Sequence, residues 1–497
     1  MPIEHSEWIK NPKIYEINTW PWLRSLSERY NSPITLQNIP DEVFNKEISM
    51  FDAIWLMGVW ERSPASKKIA LERPDLQKEF HKALHEFGED DVVGSPYAIY
   101  YYHVDSHLGG IDGLKKVRKQ LDARGIRLIL DYVPNHVSRD SLWTLESNLF
   151  IEGTLDDLMN HPSDFFSLSG KVFAHGKDPN FSGWTDTIQI NAFSEEARQK
   201  TISTLLTIAE LCDFVRCDMA MLMTNKIFSR TWGNKAGEIP EKEFWEVVIP
   251  AVKEKFPQFL FIAEVYWDME WELQHQGFDF CYDKQLYDHL SHENVQNIKK
   301  HLEADWNYQK KLVRFIENHD EQRAITKFGE KRSCAAAVIA MTLPGARLIH
   351  EGQIEGFKIR LPVQLGRRQT EDIEQNILHF YQNLLRIIPG KNFVNAKWSI
   401  CNIIPIDSND NSYKNLISYL WWINDNYLLI VVNYSSYPSK GHIKIELINY
   451  GSDNWLFKDL LNQNNYIYKG TDLEKYGLYI DLKEWNSHIF IIKKEIH

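Results

Sequence analysis

The segment Asp213-Phe214-Val215-Arg216-Cys217-Asp218 joins an apolar, β-branched run to an abrupt charged end. This pattern is typical of a buried parallel strand that brings side chains to the rim of a barrel. Because successive strand residues alternate between faces, Arg216 and Asp218 are predicted to point the same way. An always-charged guanidinium beside a carboxylate keeps that carboxylate ionised, as nucleophilic attack requires. We therefore predict that Asp218 is a nucleophile at the C-terminal end of a strand.

Three other apolar runs also lead into carboxylates. Residues 127–131 continue into Tyr132-Val133-Pro134-Asn135-His136, residues 259–263 precede Glu264, and residues 312–316 precede Glu317-Asn318-His319-Asp320. A single buried Arg and Asp are more often a structural ion pair than a catalytic pair. Four such strand ends in one chain instead favour a site assembled from several strands.

Strand-like and helix-like segments alternate along much of the chain, which indicates parallel βαβ units. Leu114, Val117 and Leu121, for example, lie three and four residues apart, as on one face of a helix. With 497 residues, the chain suits a (β/α)8 barrel of about 250 to 400 residues with an accessory domain. The predicted strands cover residues 13–18, 52–57, 127–131, 213–218, 259–264, 278–283, 312–317 and 347–350.

Other regions depart from this alternation. Residues 58–103 are a long insertion after the second strand, and residues 137–191 are predicted to be a small domain inserted after the third. Beyond about residue 390, short alternating runs predict an antiparallel β domain. Its Trp421, Trp422 and Trp455 could form a carbohydrate patch, but core packing is the favoured interpretation. The predicted division is a barrel in two parts (residues 1–136 and 192–389), the inserted domain (137–191) and a C-terminal β-sandwich (390–497).

The composition excludes several classes of partner. The formal charge is -12, without a dense cluster of Lys and Arg, so nucleic acid is not an expected partner. We expect neither a membrane span nor a signal peptide, because no long apolar stretch is present. The five cysteines lack CxxC spacing, so we expect reduced thiols, no zinc site and a cytoplasmic protein. The oligomeric state stays open.

The strand-end carboxylates suit the cleavage of a glycosidic bond. Its oxocarbenium-like transition state needs one ionised carboxylate at the anomeric carbon and one protonated carboxyl at the leaving oxygen. Asp218 and Glu264 are candidates for these two roles. Asp320, His136 and His319 suit hydrogen bonds to sugar hydroxyls that tighten as the ring flattens. Singly, an Asn-His or His-Asp pair is more often a loop or core hydrogen bond.

Taken in order, the four segments resemble the four signature regions of the α-amylase family of glycoside hydrolases. Asp131-Tyr132-Val133-Pro134-Asn135-His136 is similar to the first region, Val215-Arg216-Cys217-Asp218 to the second, Ala263-Glu264 to the third and Asn318-His319-Asp320 to the fourth. The resemblance implies a (β/α)8 barrel with an insertion after strand three and a C-terminal β domain. It implies that Asp218 is the nucleophile, Glu264 the general acid and base, and Asp320 the transition-state stabiliser. It further implies that Tyr97, His136, Arg216 and His319 bind the sugar.

One departure from the family follows the nucleophile directly. Typical amylases carry a Lys-His pair there, whereas this chain has Met219-Ala220-Met221-Leu222-Met223, a run that is more typical of barrel packing. A structural calcium is therefore not supported, since Asn135 alone makes no site. We expect no cofactor.

Two functional interpretations remain. The first is a retaining enzyme that hydrolyses or transfers α-glucosidic bonds of an α-glucan or α-glucoside, and the second is a non-catalytic carbohydrate-binding or scaffolding relative. A non-catalytic relative is expected to have lost at least one of Asp218, Glu264 and Asp320. Because all three are present, catalysis is favoured, while linkage, chain length and acceptor stay open.

Overall fold

Eight parallel strands form a closed barrel, and their order around the barrel follows their order along the chain. The computed structural model describes residues 10–146, 148–388, 393 and 395–495. All eight predicted strands are present, although β7 ends at Arg314 rather than at residue 317. The strands are β1 (Lys13–Asn18), β2 (Ala53–Met57), β3 (Arg127–Tyr132), β4 (Phe214–Cys217), β5 (Leu260–Ala263), β6 (Phe280–Tyr282), β7 (Leu312–Arg314) and β8 (Ala346–His350).

The strands β4 and β5 are buried along their whole length, which explains their continuous apolar sequences. In the parallel register, Arg216 of β4 lies between Asp131 of β3 and Ile262 of β5. The amide of Asp218 donates to the carbonyl of Tyr132, and the amide of Glu264 donates to the carbonyl of Cys217. The ends of three neighbouring strands are therefore tied together at the level of the charged residues.

The chain divides into two compact parts. The first comprises Lys13–Tyr282 and Ile359–Thr370, and it contains β1 to β6. Several of its helices start at the signals that the sequence predicts, such as the Ser194 hydroxyl that accepts from the Ala197 amide. Its helices of six or more residues are Thr19–Arg29, Pro64–Glu72, Pro74–Ala83, Gly110–Asp122, Leu155–Asn160, Glu195–Ala209, Asn225–Trp232, Phe244–Lys255 and Glu270–His275.

The segment between β2 and β3 is more regular than its sequence predicts. Two helices, Pro64–Glu72 and Pro74–Ala83, each start with proline at the first helical position. The Ser63 hydroxyl caps the first helix by accepting from the Ser66 amide. In sequence, both helices lie between two strands, Trp60–Arg62 and Ile99–Val104, which pair with each other antiparallel.

Small antiparallel sheets follow β3, which confirms the predicted insertion. The strand His136–Ser138 pairs with Thr187–Gln189, so the insertion leaves and rejoins the barrel through two adjacent strands. A separate three-stranded sheet consists of Glu152–Gly153, Lys171–Ala174 and Phe165–Leu168. The exact limits 137–191 stay a prediction.

The second compact part contains β7, β8 and the C-terminal antiparallel β domain. A six-stranded sheet has the order Lys397–Ile400, Leu416–Ile423, Asn426–Asn433, Ser487–Lys494, Asn454–Asp459 and Asn464–Lys469. A three-stranded sheet has the order Asn402–Ile404, Ser439–Lys444 and Leu478–Leu482. Both sheets contribute to one hydrophobic core. The start of this domain at residue 390 and its architecture as a β-sandwich stay predictions.

Two of the three tryptophans considered for a carbohydrate patch are buried. The indole of Trp421 donates to the carbonyl of Thr342 at 2.7 Å, and Trp455 donates to the carbonyl of Tyr450 at 2.9 Å. Trp422 packs against the domain core. The favoured interpretation, core packing, therefore holds for these residues. The longer helices of this part are Lys284–Ser291, Val295–Leu302, Glu330–Thr342, Gln375–Ile387 and Gly470–Tyr476.

No helix among the residues given above is both long and apolar enough to cross a lipid bilayer. Cellular location stays a prediction.

Candidate active site

Arg216 on β4 is the centre of the candidate site. Its side chain is 1% exposed, and its Nη1 donates to Asp218 Oδ1 at 2.7 Å while Nη2 lies 2.8 Å from Glu264 Oε2. Asp131 Oδ1 lies 3.6 Å from Nη1. Burial alone would lower the pKa of Arg216, but the Glu264 carboxylate and its neighbours raise it well above the usual value. One permanent cation thus binds three carboxylates.

Aromatic rings surround the guanidinium. Its central carbon lies 5.2 Å from the ring centres of Trp55 and Tyr97 and 5.7 Å from that of Tyr282. Nε also donates to the Tyr282 hydroxyl at 3.3 Å. These rings stabilise the cation through their π faces and reduce its contact with water. The structure therefore brings the predicted Tyr97 to Arg216, together with two rings that the sequence did not single out.

Asp131 is held by groups from the neighbouring strand β2 and the loop after it. The indole of Trp55 donates to its Oδ2 at 3.1 Å, and the amide of Gly58 approaches the same atom at 3.4 Å. The Trp60 indole donates to the Asp131 backbone carbonyl at 2.8 Å. These contacts fix the carboxylate that lies opposite Arg216 in the sheet register.

Both carboxylate oxygens of Glu264 accept hydrogen bonds. The Met219 amide donates to Oε2 at 2.7 Å, and the Tyr266 hydroxyl donates to Oε1 at 2.8 Å. The Ala220 amide donates to the Glu264 backbone carbonyl. Consecutive amides after Asp218 therefore hold Glu264 in place, although the Met219-to-Met223 run was predicted only to pack. Met221 and Met223 are fully buried, as that prediction requires.

Three non-glycine residues next to the candidate carboxylates have left-handed backbone. Met219, directly after Asp218, has φ 42°, while Trp267 and Asp268 in the loop after Glu264 have φ 62° and 61°. Positive φ is costly for bulky residues and persists where the surroundings impose it. Such strain is concentrated at functional sites, which supports a functional interpretation of these strand ends.

His136 is buried in its neutral form. The Asn135 amide nitrogen lies 3.3 Å from its Nδ1, and the Trp184 ring packs 5.0 Å away. Burial lowers the pKa of His136 to about 4, despite Asp186 and a hydrogen bond with the Tyr97 backbone. That bond connects His136 to the loop that carries Tyr97. The Asn135 Oδ1 accepts from the Gln189 amide at 2.9 Å.

His319 and Asp320 follow β7 in the second compact part. Asn318 Oδ1 accepts from the amides of Asp320 and Glu321, both at 3.0 Å, and so forms the turn that presents the two residues. His319 Nε2 lies 3.1 Å from Asp320 Oδ2. The Asp320 side chain is 47% exposed, whereas the His319 ring is buried.

Glu317 belongs to a buried network that the sequence did not reveal. Arg323 Nη1 donates to its Oε1 at 2.6 Å, and His350 Nδ1 lies 3.1 Å from the same atom. Arg323 also donates to the Glu351 carbonyl at 2.8 Å. Burial would raise the pKa of Glu317, but Arg323 and His350 outweigh it and lower the pKa. The only sequence signal was a carboxylate at a strand end, which did not distinguish Glu317 from Asp320.

Within the ranges that the structure describes, no group of three or more His, Cys, Asp or Glu side chains has the arrangement needed to hold a metal ion.

Comparison with known proteins agrees with this geometry. A family model described as the catalytic domain of alpha amylase matches residues 46–209, which include Tyr97, Asp131 and His136. Alpha-amylase MalA from Haloarcula japonica is 21% identical over 450 residues, covering 88% of this chain and 57% of its own length. Residues 46–209 thus match the catalytic-domain model of the α-amylase family. The chain spans less than two thirds of the length of that relative.

Solved structures resemble this chain over nearly its whole length. A noncanonic maltogenic alpha-amylase from Thermotoga neapolitana has a TM-score of 0.65 at 18% identity, covering 96% of this chain and 98% of its own. The alpha-amylase from Geobacillus thermoleovorans, solved with acarbose, has a TM-score of 0.66 at 16% identity, with coverages of 98% and 99%. At such identities the likeness concerns the fold.

Proposed function

We propose that this protein is a retaining enzyme that hydrolyses or transfers α-glucosidic bonds through a covalent glycosyl-enzyme. The observation that carries the proposal is the Arg216 guanidinium, which binds Asp218 with one nitrogen and Glu264 with the other. Both carboxylates therefore lie within the span of one planar group. Retaining enzymes need such proximity, because their two carboxyls stand about 5 to 5.5 Å apart.

Asp218 acts as the nucleophile in this proposal. Its contact with Arg216 favours the ionised form, and its position directly after β4 directs it to the end of the barrel where such sites lie. One Asp218 oxygen attacks the anomeric carbon of an α-glucoside and forms a β-linked ester. The bond from that carbon to the leaving oxygen breaks, and the leaving oxygen takes a proton.

Glu264 supplies that proton. Asp131, Asp218 and Glu264 together carry three potential negative charges against one guanidinium, so a single proton on the cluster reduces the excess. We propose that Glu264 takes up this proton before it acts as the acid of the first step. In the second step, ionised Glu264 removes a proton from water or from a sugar hydroxyl. That oxygen then attacks the anomeric carbon and restores the α configuration.

The remaining predicted residues bind the sugar. Tyr97 offers a ring face beside Arg216, and neutral His136 is suited to hydrogen bonds with hydroxyl groups. Asp320 and His319 are proposed to contact ring hydroxyls, with Asp320 stabilising the flattened transition state. An α-glucan or α-glucoside is the proposed substrate, which the match of residues 46–209 to the alpha-amylase catalytic domain supports. The acarbose complex of the Geobacillus relative is also consistent with a saccharide ligand.

The stereochemistry of the first product tests the proposal. Proton NMR in the first minutes, before mutarotation, should show the α anomer from an α-linked donor such as a maltooligosaccharide. A first product with the β configuration would overturn the covalent mechanism. Complete absence of turnover on maltose, maltooligosaccharides, isomaltose, trehalose, sucrose and glucose 1-phosphate would instead favour a non-catalytic relative. Transfer products that increase with donor concentration would identify sugar acceptors.

A further inference from the structure

A cavity of about 570 Å³ lies in the second compact part, and none of its lining residues belongs to the candidate active site. The helices Glu330–Thr342 and Gln375–Ile387 form one side, and the segments 461–463 and 485–487 of the β domain form the other. Its volume falls within the range of about 300 to 1,000 Å³ that is usual for ligand pockets. Both of its sides belong to the same compact part.

Carboxamides dominate the polar lining. Each carboxamide presents both donors and an acceptor, which matches sugar hydroxyls, because these also donate and accept. Among the described residues that line the cavity there is no aspartate or glutamate, and the charged side chain is that of Arg386. A neutral polyhydroxylated ligand therefore fits this lining better than a cation. The carboxamides are those of Asn376, Gln382, Asn383, Asn462, Gln463 and Asn486.

Some of these amides fix the wall while others stay available. Asn383 donates to the Leu461 carbonyl at 3.1 Å, and Asn462 donates to Asp459 Oδ2 at 2.7 Å. Gln382, Gln463 and Asn486 form no side-chain hydrogen bond with any other described residue. Hydrogen bonds therefore fix part of the cavity wall, while three amides are free to bind a ligand.

Trp485 supplies an aromatic surface whose position is fixed. Its ring centre lies 5.2 Å from that of Tyr434, with the two rings nearly perpendicular, and the Arg332 guanidinium lies 5.7 Å from the Trp485 ring centre. Trp485 and Gln463, both in the lining, have left-handed backbone with φ 59° and 58°. Such conformations are unfavourable for side chains of this size, so the surrounding structure must hold both residues in place. An indole held in advance loses little freedom when a ligand binds.

We propose that this cavity is a second binding site for a neutral α-glucan segment, separate from the active site. The apolar face of a glucose unit packs on the Trp485 indole, while Gln382, Gln463 and Asn486 bind its hydroxyls. The choice of α-glucan rests on the proposed function. A polymer bound here stays attached between catalytic events, so its effective concentration at the enzyme rises. Short substrates gain nothing from this site.

Affinity electrophoresis of the full chain in gels that contain glycogen tests the inference. Trp485→Ala removes the aromatic surface, and Gln382→Ala removes an exposed amide without disturbing the packing of Trp485. Trp306→Ala is the matched control, since Trp306 is 39% exposed in the same compact part and does not line the cavity. We expect apparent glycogen affinity to fall at least tenfold in Trp485→Ala, about threefold in Gln382→Ala and not at all in Trp306→Ala. Turnover of a short aryl α-glucoside should stay within twofold of wild type in all three variants.

The outcomes separate this inference from the proposed function. Glycogen retention that is absent in wild type, or unchanged in both Trp485→Ala and Gln382→Ala, overturns the second site even when the enzyme is active. Retention that depends on both residues in a protein without any glycosidic activity supports the second site and rejects the proposed function. Because Trp485→Ala could unfold locally, the milder Gln382→Ala variant must shift retention in the same direction. If glycogen retains Gln382→Ala as strongly as it retains wild type, the second site is overturned.

Discussion

Arg216 and Arg323 are both buried arginines that bind a glutamate near the end of a barrel strand, but their surroundings carry different charge. Arg216 binds Asp131, Asp218 and Glu264. Arg323 binds Glu317 and the Glu351 carbonyl, and His350 Nδ1 lies 3.0 Å from its Nη1. Arg216 thus contacts three carboxylates directly, whereas Arg323 contacts one, with Glu351 and Glu371 acting on it electrostatically.

The difference indicates which cluster does chemistry. A balanced buried pair with further hydrogen bonds is stable but has no reason to exchange protons. An excess of buried carboxylates is unfavourable unless protons or a developing positive charge relieve it. An oxocarbenium-like transition state is such a charge. We therefore propose that the Arg216 cluster does the chemistry and that the Arg323 cluster stabilises the fold.

Asp218→Asn should have the largest effect on activity. The amide is nearly isosteric but cannot attack the anomeric carbon, so kcat should fall by about 10⁴-fold or more. Removing one carboxylate also reduces the charge excess around Arg216, so the thermal midpoint should not decrease. Activity assays on the best substrate and a thermal melt check both statements. More than a tenth of wild-type activity in the folded variant would contradict the assignment of the nucleophile.

Glu264→Gln should have a smaller effect that depends on the leaving group. Substrates with poor leaving groups need the proton from Glu264, so their kcat/KM should fall by about 10² to 10⁴-fold. Aryl glycosides that carry a good leaving group should form the covalent intermediate at a rate closer to wild type. Steady-state kinetics with a series of aryl α-glucosides measures this slope. An equal loss for every leaving group would show that Glu264 is not the acid.

Glu317→Gln should lower the stability of the folded protein rather than its activity. It leaves the buried Arg323 guanidinium without its carboxylate, which should cost about 3 kcal/mol. Urea unfolding monitored by circular dichroism measures the loss, and kcat per folded molecule should change little. Glu152→Gln is the matched control, because Glu152 lies 2.7 Å from Lys171 in an exposed pair that contributes little. A stable Glu317→Gln variant with lost activity would place Glu317 in the catalytic machinery instead.

Acid pH should reveal the contribution of the buried His136 to stability. The pKa of His136 is about 4 in the folded protein, below its ordinary value of 6.5, so the unfolded chain binds more protons between these values. Stability from this residue is complete above pH 6.5 and declines as the pH falls towards 4, by roughly 3 kcal/mol at most. His136→Gln should reduce the difference between the thermal midpoints at pH 7 and pH 4.5. The exposed His85→Gln should leave that difference unchanged.

The sequence predicted the barrel because its signals are local. Apolar runs such as β4 and β5 reveal buried strands, and the alternation within β4 places Arg216 beside Asp218. The helix Pro64–Glu72 was missed, although Ser63 and Pro64 are start signals, because the surrounding region reads as an insertion. The long insertion at residues 58–103 was predicted to be a loop without helices. Local signals therefore predict elements better than they predict the contents of insertions.

The pairing of Arg216 with Glu264 was beyond the sequence, because it depends on the register between β4 and β5. Register arises from packing across the whole sheet, which no short motif records. The same limit applies to Glu317 and Asp320, which share one segment but differ in burial. The contacts of Trp55 and Tyr282 with Arg216 could likewise not be predicted from the sequence, since aromatic residues at strand ends usually fill cores.

The peptide units from Asp218 to Ala220 have a consequence for protein engineering. Their three amides bind the Tyr132 carbonyl, the Glu264 carboxylate and the Glu264 carbonyl in succession. The proposed nucleophile and the proposed acid are therefore held by one short stretch of backbone, strained at Met219. A designer who moves this chemistry to another barrel must transplant that stretch together with both carboxylates. If only the two side chains were copied, the backbone of the other barrel would determine the distance between them.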